Sequence, residues 1–113
     1  MIKFQRITTK DATLYNYMKQ LMTASFPSEE YRPLEELRNY TDTKTHFYCN
    51  IILHHDTPVG FITYWDFGHF YYVEHFAIDP SLRNGGHGKN VLNHLCQQLN
   101  KPIIPVSYTH LTL

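Results

Sequence analysis

Glu74-His75-Phe76-Ala77-Ile78-Asp79-Pro80-Ser81-Leu82-Arg83-Asn84-Gly85-Gly86-His87-Gly88-Lys89 is the stretch on which the reading turns. It begins as the end of a strand, Phe70 to Ile78, which Asp79-Pro80-Ser81 terminates. A glycine loop follows from Arg83 to Gly88. It opens a helix whose apolar stripe is Val91, Leu92, Leu95 and Leu99. Successive backbone N–H groups in such a loop point into one concavity, and the helix dipole adds positive potential there. Phosphate or pyrophosphate is the natural guest. Glycine suits the loop because a side chain would block close approach and disfavour positive φ. Two familiar phosphate loops do not fit. A nucleotide P-loop needs glycine where Arg83 stands and Ser or Thr where Asn90 stands. A dinucleotide fingerprint needs glycine where Val91 stands, within a parallel βαβ unit. A plain glycine turn between strand and helix stays open as the alternative.

Working outward, Ile2 to Thr8 alternates as a short strand. Thr9 and Asp11 offer caps for a helix from Asp11 to Ala24, with Leu14, Tyr17, Met18, Leu21 and Met22 as its stripe. Phe26-Pro27-Ser28 stops that helix. Ser28 can cap a second helical stretch, with Pro33 at a first-turn position and Leu34, Leu37 and Tyr40 on its apolar side. From His46 the period changes to that of strands: His46 to His54, then Val59 to Asp66 with Val59, Phe61, Thr63 and Trp65 on one side, then Phe70 to Ile78. The turns His55-Asp56-Thr57-Pro58 and Asp66-Phe67-Gly68-His69 make these three an antiparallel meander. Lys101-Pro102 breaks the last helix, and Ile103-Ile104 begins a buried strand. The order β-α-α-β-β-β-α-β, without repeats or linkers, predicts one α+β domain with helices against a mixed, mainly antiparallel sheet.

Composition narrows the function classes. The chain has 113 residues, 42% hydrophobic and 18% charged, which is globular and sized for one domain. Ten basic side chains balance ten acidic ones, which disfavours a general nucleic-acid or anionic-membrane binder. No apolar run approaches the roughly 20 residues of a membrane span, and Met1 to Lys10 carries no signal-peptide core. Two cysteines, Cys49 and Cys96, are too few for a disulfide scaffold and read as core. The expectation is a cytoplasmic domain. The eight histidines lack HExxH or CxxC companions, so no metal is expected.

Arg83-x-x-Gly86-x-Gly88, preceded by Phe76-Ala77-Ile78-Asp79-Pro80, resembles the acetyl-coenzyme A loop of the GNAT (Gcn5-related) N-acetyltransferase superfamily, where the loop also follows the fourth strand and opens the third helix. The element order extends the resemblance over residues 1 to about 104, with the specific motif confined to Glu74–Leu92. The resemblance implies acetyl-CoA as cosubstrate. Backbone amides of Asn84, Gly85, Gly86, His87, Gly88 and Lys89 would hold the pyrophosphate, and Arg83 would brace the loop or contact phosphate. Main-chain groups of Phe76, Ala77 and Ile78 would pair with the pantetheine arm where strand four splays from strand five. Asn84 and His87 depart from the residues common in relatives, but not at the two defining glycines.

Direct acyl transfer needs the acceptor amine neutral, so some group must take its proton. Glu74 is the candidate base, because in the polyamine-acetylating branch of the family a Glu at the matching place is proposed as base or amine binder. Strand alternation sets it with Tyr72, Phe76 and Ile78, where a carboxylate would be partly desolvated with a raised pKa. The alternative is a structural pair with a neighbouring cation. His75 is expected on the opposite face. Tyr64, Trp65, Tyr71 and Tyr72 line an acceptor pocket or simply pack the sheet. Glu29, Glu30, Glu35 and Glu36 either attract a cationic amine, Glu30 foremost, or form a solvated helix face. A small-molecule or peptide amine is the expected partner.

The C-terminus departs from the family, whose fold continues into a fourth helix and a hairpin. Pro105 to Leu113 fits neither, and Pro105 is awkward within a central strand. The expectation is therefore a partial domain at 1–104 with a foreign or disordered tail at 105–113; a naturally short chain that borrows strands from a partner is the alternative. The exposed sheet edge would invite a homodimer. A CoA-binding module without turnover and a structural interaction domain remain the alternatives to an active acetyltransferase.

Overall fold

Strand pairing organises the protein around one sheet. The computed structural model describes residues 2–80, 93–94, 97 and 102–105. Its strands are β1 (Ile2–Arg6), β2 (Phe47–His54), β3 (Thr57–Asp66), β4 (Tyr71–Ile78) and β5 (Ile103–Pro105), in the spatial order β1-β2-β3-β4-β5. The first four pair antiparallel, and β5 pairs parallel with β4. The helices α1 (Ala12–Ser25) and α2 (Leu34–Thr43) connect β1 to β2, with a single 3-10 turn at Ser28–Glu30 between them. Asn93, His94 and Gln97 are helical. This is the expected α+β architecture with a mixed sheet.

The sheet carries a hydrophobic cluster on each face. On one face Tyr15, Met18, Leu21 and Met22 of α1 and Leu37 of α2 pack with Phe47, Cys49, Ile51, Phe61 and Ala77. On the other, Ile52, Val59, Ile62, Tyr64, Val73, Phe76 and Ile78 pack together, and His94 meets Phe4 edge-on. Each fully buried large side chain contributes about 1.5–3 kcal/mol relative to exposure. Cys49 lies in the core as expected, and burial pushes its thiol up to about 12. Cys96 lies outside the described residues.

Several local expectations are corrected. Asp11 is the N-cap residue of α1, but its carboxylate turns back to accept from the Thr8 N–H (2.9 Å), and no side chain caps the helix. Thr9 instead donates to Asp42, fastening the start of α1 to the end of α2. Pro33 is the residue before α2, not within its first turn, and Ser28 opens only the 3-10 turn. Val59 does not share a face with Phe61. The β2–β3 register shifts between Ile52 and Leu53, where Gly60 pairs Ile52 and Pro58 pairs Leu53, and the extra residue reverses the alternation. Elsewhere turn chemistry sets the connections. His55 and Asp56 adopt φ of 52° and 65° in a two-residue hairpin loop. Gly68, at φ 91°, lies next to Phe67 in a turn held by the Asp66 carboxylate, which accepts from the Gly68 N–H (2.9 Å).

Candidate active site

The decisive local feature is a β-bulge in β4. Thr63 of β3 pairs with His75, while the next residue, Tyr64, pairs with Val73, so Glu74 is the extra residue without a cross-strand partner. The alternation of β4 breaks there. Val73, Phe76 and Ile78 face the cluster away from α1 and α2, and Ala77 faces the helices. Glu74 and His75 both line one cleft on the helix side, together with Tyr72. Two expectations fall with this. Glu74 shares a face with Tyr72 but not with Phe76 and Ile78, and His75 lies on the same face as Glu74, not the opposite one.

The cleft has a volume of about 320 Å3, and its other wall is Glu29, Glu30, Tyr31 and Arg32 from the segment joining α1 to α2. Four candidates named from sequence, Glu29, Glu30, Tyr72 and Glu74, are thus brought together. Glu74 is not set among apolar side chains. Its carboxylate accepts from Arg32 Nε (3.3 Å) and Nη2 (2.8 Å) at Oε1, and from Arg32 Nη2 and Trp65 Nε1 (3.1 Å) at Oε2. The correction has a simple cause. A side chain projecting from a bulge escapes the sheet's alternation and is oriented by whatever polar groups reach it. The cationic partner is the one sequence reading left unnamed.

Arg32 is also held by α2. Its Nη1 donates to Glu36 Oε1 at 2.7 Å, and its guanidinium lies 4.7 Å from the centre of the Tyr40 ring. Burial pulls its pKa down, but the bonds and charges of Glu74 and Glu36 more than offset this and hold it above the ordinary value. His75 and Glu30 share a second tie across the cleft. A carbonyl only accepts, so His75 Nε2–H donates to Glu30 O at 2.8 Å, while the ring meets Phe26 edge-on at 4.8 Å. The bulge residues therefore attach the α1–α2 segment to the sheet.

The expected aromatic lining divides between the two faces. Trp65 and Tyr72 are on the cleft side, where Phe67 lies parallel to Trp65 at 6.0 Å. Tyr64 and Tyr71 are on the opposite face, meeting edge-on at 5.5 Å. Beyond the cleft, the described β4–β5 pairing covers Tyr71↔Ile103, Tyr72↔Ile104 and Val73↔Pro105. Phe76, Ala77 and Ile78 follow past that point on β4. Tyr17 of α1 fastens the end of this strand by donating to Asp79 Oδ2 at 3.5 Å, and burial together with Asp79 raises the phenol's pKa. Arg83, Asn84, Gly85, Gly86, His87, Gly88 and Lys89 lie outside the described residues. Among the described residues, no group of three or more His, Cys, Asp or Glu is placed to hold a metal ion, and no helix is long and apolar enough to cross a membrane.

Comparison with known proteins places these features. The family model described as acetyltransferase (GNAT) family matches residues 12–106. Among solved structures, a chain from Bacteroides thetaiotaomicron described as an acetyltransferase of the GNAT family is 54% identical, with a TM-score of 0.90. That match covers 96% of this chain and 64% of the relative, so the chain spans under two thirds of that protein's length. An aminoglycoside acetyltransferase from an uncultured soil metagenomic sample, in complex with sisomicin, is similar in fold at 18% identity and TM-score 0.66, over 94% of this chain and 77% of its own. An aminoglycoside 6'-N-acetyltransferase complexed with coenzyme A is similar in fold at 17% identity and TM-score 0.62, over 85% of this chain and 54% of its own. No curated protein sequence matches.

Proposed function

The chain belongs to the GNAT acetyltransferase family, and from that premise we propose that it transfers acetyl directly from acetyl-CoA to a primary amine held in the cleft at Glu74. The observation that carries this reading is the bulge, which turns the only cross-strand-unpaired residue of the described β3–β4 ladder, a carboxylate, into a cleft beside the point where the described β4–β5 pairing stops. Acetyl-CoA supplies the thioester. The chain's residues supply the rest. The main chain of Phe76, Ala77 and Ile78, past Val73, pairs with the pantetheine amides as an added strand. Asn84 to Lys89 cradle the pyrophosphate, with Arg83 bracing them. This fits the chain order, because β4 ends at Ile78 and the glycine loop follows in sequence from Arg83.

In the cleft, Glu74 takes the proton that the ammonium form of the acceptor must lose before its nitrogen attacks the thioester carbonyl. The C–S bond then breaks, the nitrogen's second proton passes to the thiolate, and the products are the acetamide and CoA thiol. Its oxygens already accept from Arg32 and Trp65, so a water between carboxylate and amine is the natural relay. Glu30 and Tyr72 border the acceptor on opposite walls. Gly86→Glu tests the cosubstrate half of the reading. A side chain and a negative charge would stand where the pyrophosphate binds. Isothermal titration is expected to show acetyl-CoA binding to the wild-type chain and none to Gly86→Glu. Equal binding by both would overturn the assignment of the loop.

A further inference from the structure

We propose that Arg32 is a positioning residue for the reaction, acting through Glu74; this rests on the reading of Glu74 given above. Glu74 is the extra residue of a bulge, so no cross-strand neighbour sets its side-chain direction. What sets it is a clamp. Arg32 reaches the carboxylate with Nε and Nη2, and Trp65 Nε1 meets it at Oε2. Side-chain exposures of 23% for Arg32 and 10% for Glu74 show that the pair, which lines the cleft, is shielded enough for the geometry to persist. The clamp is anchored behind by Glu36 and Tyr40 of α2.

Two consequences separate this role from simple packing. A two-nitrogen fork fixes both position and plane of a carboxylate, which an ammonium cannot do, so charge alone does not substitute. The guanidinium also balances Glu74's charge in the cleft. An uncompensated carboxylate there would hold the acceptor as an ammonium, which has no lone pair for attack. Arg32 therefore keeps the carboxylate both aimed and compensated.

The test is a double-mutant cycle on the full chain, with acetyl-CoA and either 1,3-diaminopropane or n-propylamine as probe amine, read as amine-dependent thiol release. Arg32→Ala is expected to lower turnover at least tenfold with acetyl-CoA affinity unchanged. Arg32→Lys should recover little of it. In the Glu74→Gln background Arg32→Ala should add no further loss, because a residue acting through Glu74 has nothing left to position. A full additional loss in that background would overturn the proposal. So would wild-type turnover in Arg32→Ala when Glu74→Gln is impaired. Wild-type turnover in Glu74→Gln would instead overturn the underlying reading of Glu74.

A second readout does not depend on the acceptor. Trp65 is the chain's single tryptophan, so its indole N–H gives one identifiable NMR cross-peak that reports the bond to Glu74. The peak should move in Glu74→Gln, and in Arg32→Ala and Arg32→Lys as well, with the rest of the spectrum retained. An indole peak unmoved by Arg32→Ala, in a protein where Glu74→Gln moves it, would show that Arg32 does not hold the carboxylate.

Discussion

A Cβ added at Gly60 would overlap the carbonyl oxygen of Ala77 and sit 3.1 Å from the Cα of Ile78. Both contacts are backbone, so no side chain can yield. Gly60 is thus the residue that lets β3 lie flush against the end of β4, the part that carries the proposed pantetheine edge. Gly60→Ala is expected to destabilise the fold by about 1–3 kcal/mol, the usual range for overpacking, seen as a lower urea midpoint with an unchanged slope. A midpoint equal to wild type would mean that the strands pass farther apart there than described. Residue-scale chemistry was partly legible in the sequence. Glu74, Glu30 and Tyr72 could be named from chemistry and resemblance, and they meet in one cleft. Arg32 could not, because nothing local links it to a carboxylate 42 positions away.

At the scale of elements, two irregularities decide orientation, and both are invisible to a period-two reading. Alternation assigns faces correctly only while every residue has a cross-strand partner. The bulge at Glu74 and the register shift near Val59 each insert one residue, and every face assigned across them inverts. Element positions were more legible. Both helices and the three-stranded meander fall where apolar periodicity and turn residues place them, because those signals are local. Capping is decided by competing partners, one distant and one local. Thr9 and Asp11, plausible caps by type, are recruited by Asp42 and by the Thr8 N–H. The Thr9–Asp42 tie makes its own prediction. The hydroxyl and N–H of Thr9 hold the Asp42 carboxylate below its ordinary value of 3.8. A depressed carboxylate stabilises the fold above its unfolded pKa and loses that contribution as pH falls through the folded value. The site is solvent-exposed, so the gain is at most about 1 kcal/mol. Wild type should exceed Asp42→Ala in stability at pH 7, with the gap narrowing at pH 2 in urea unfolding. A gap independent of pH would contradict the assignment.

At the scale of the molecule, the sheet divides labour between its faces. One face packs α1 and α2 and, through the bulge, contributes to the cleft; the other carries a separate apolar cluster. The two halves of the proposed site meet on β4, the acceptor side at Tyr72–His75 and the cosubstrate side at Phe76–Ile78. That arrangement was legible only in outline. A strand running into a glycine loop is the sequence signal for the proposed cosubstrate side, and that loop lies outside the described residues. The acceptor side depends on side chains drawn together from the α1–α2 segment and from β3, which no single stretch of sequence contains. Direct acetyl transfer at the cleft is the claim on which the account stands. The most direct measurement is amine-dependent thiol release from acetyl-CoA by wild type and Glu74→Gln, with acetyl-CoA affinity followed by calorimetry. Loss of about 10²-fold or more in turnover, the usual scale for removing a general base, with unchanged affinity is the predicted result. Equal turnover by the two proteins would contradict it.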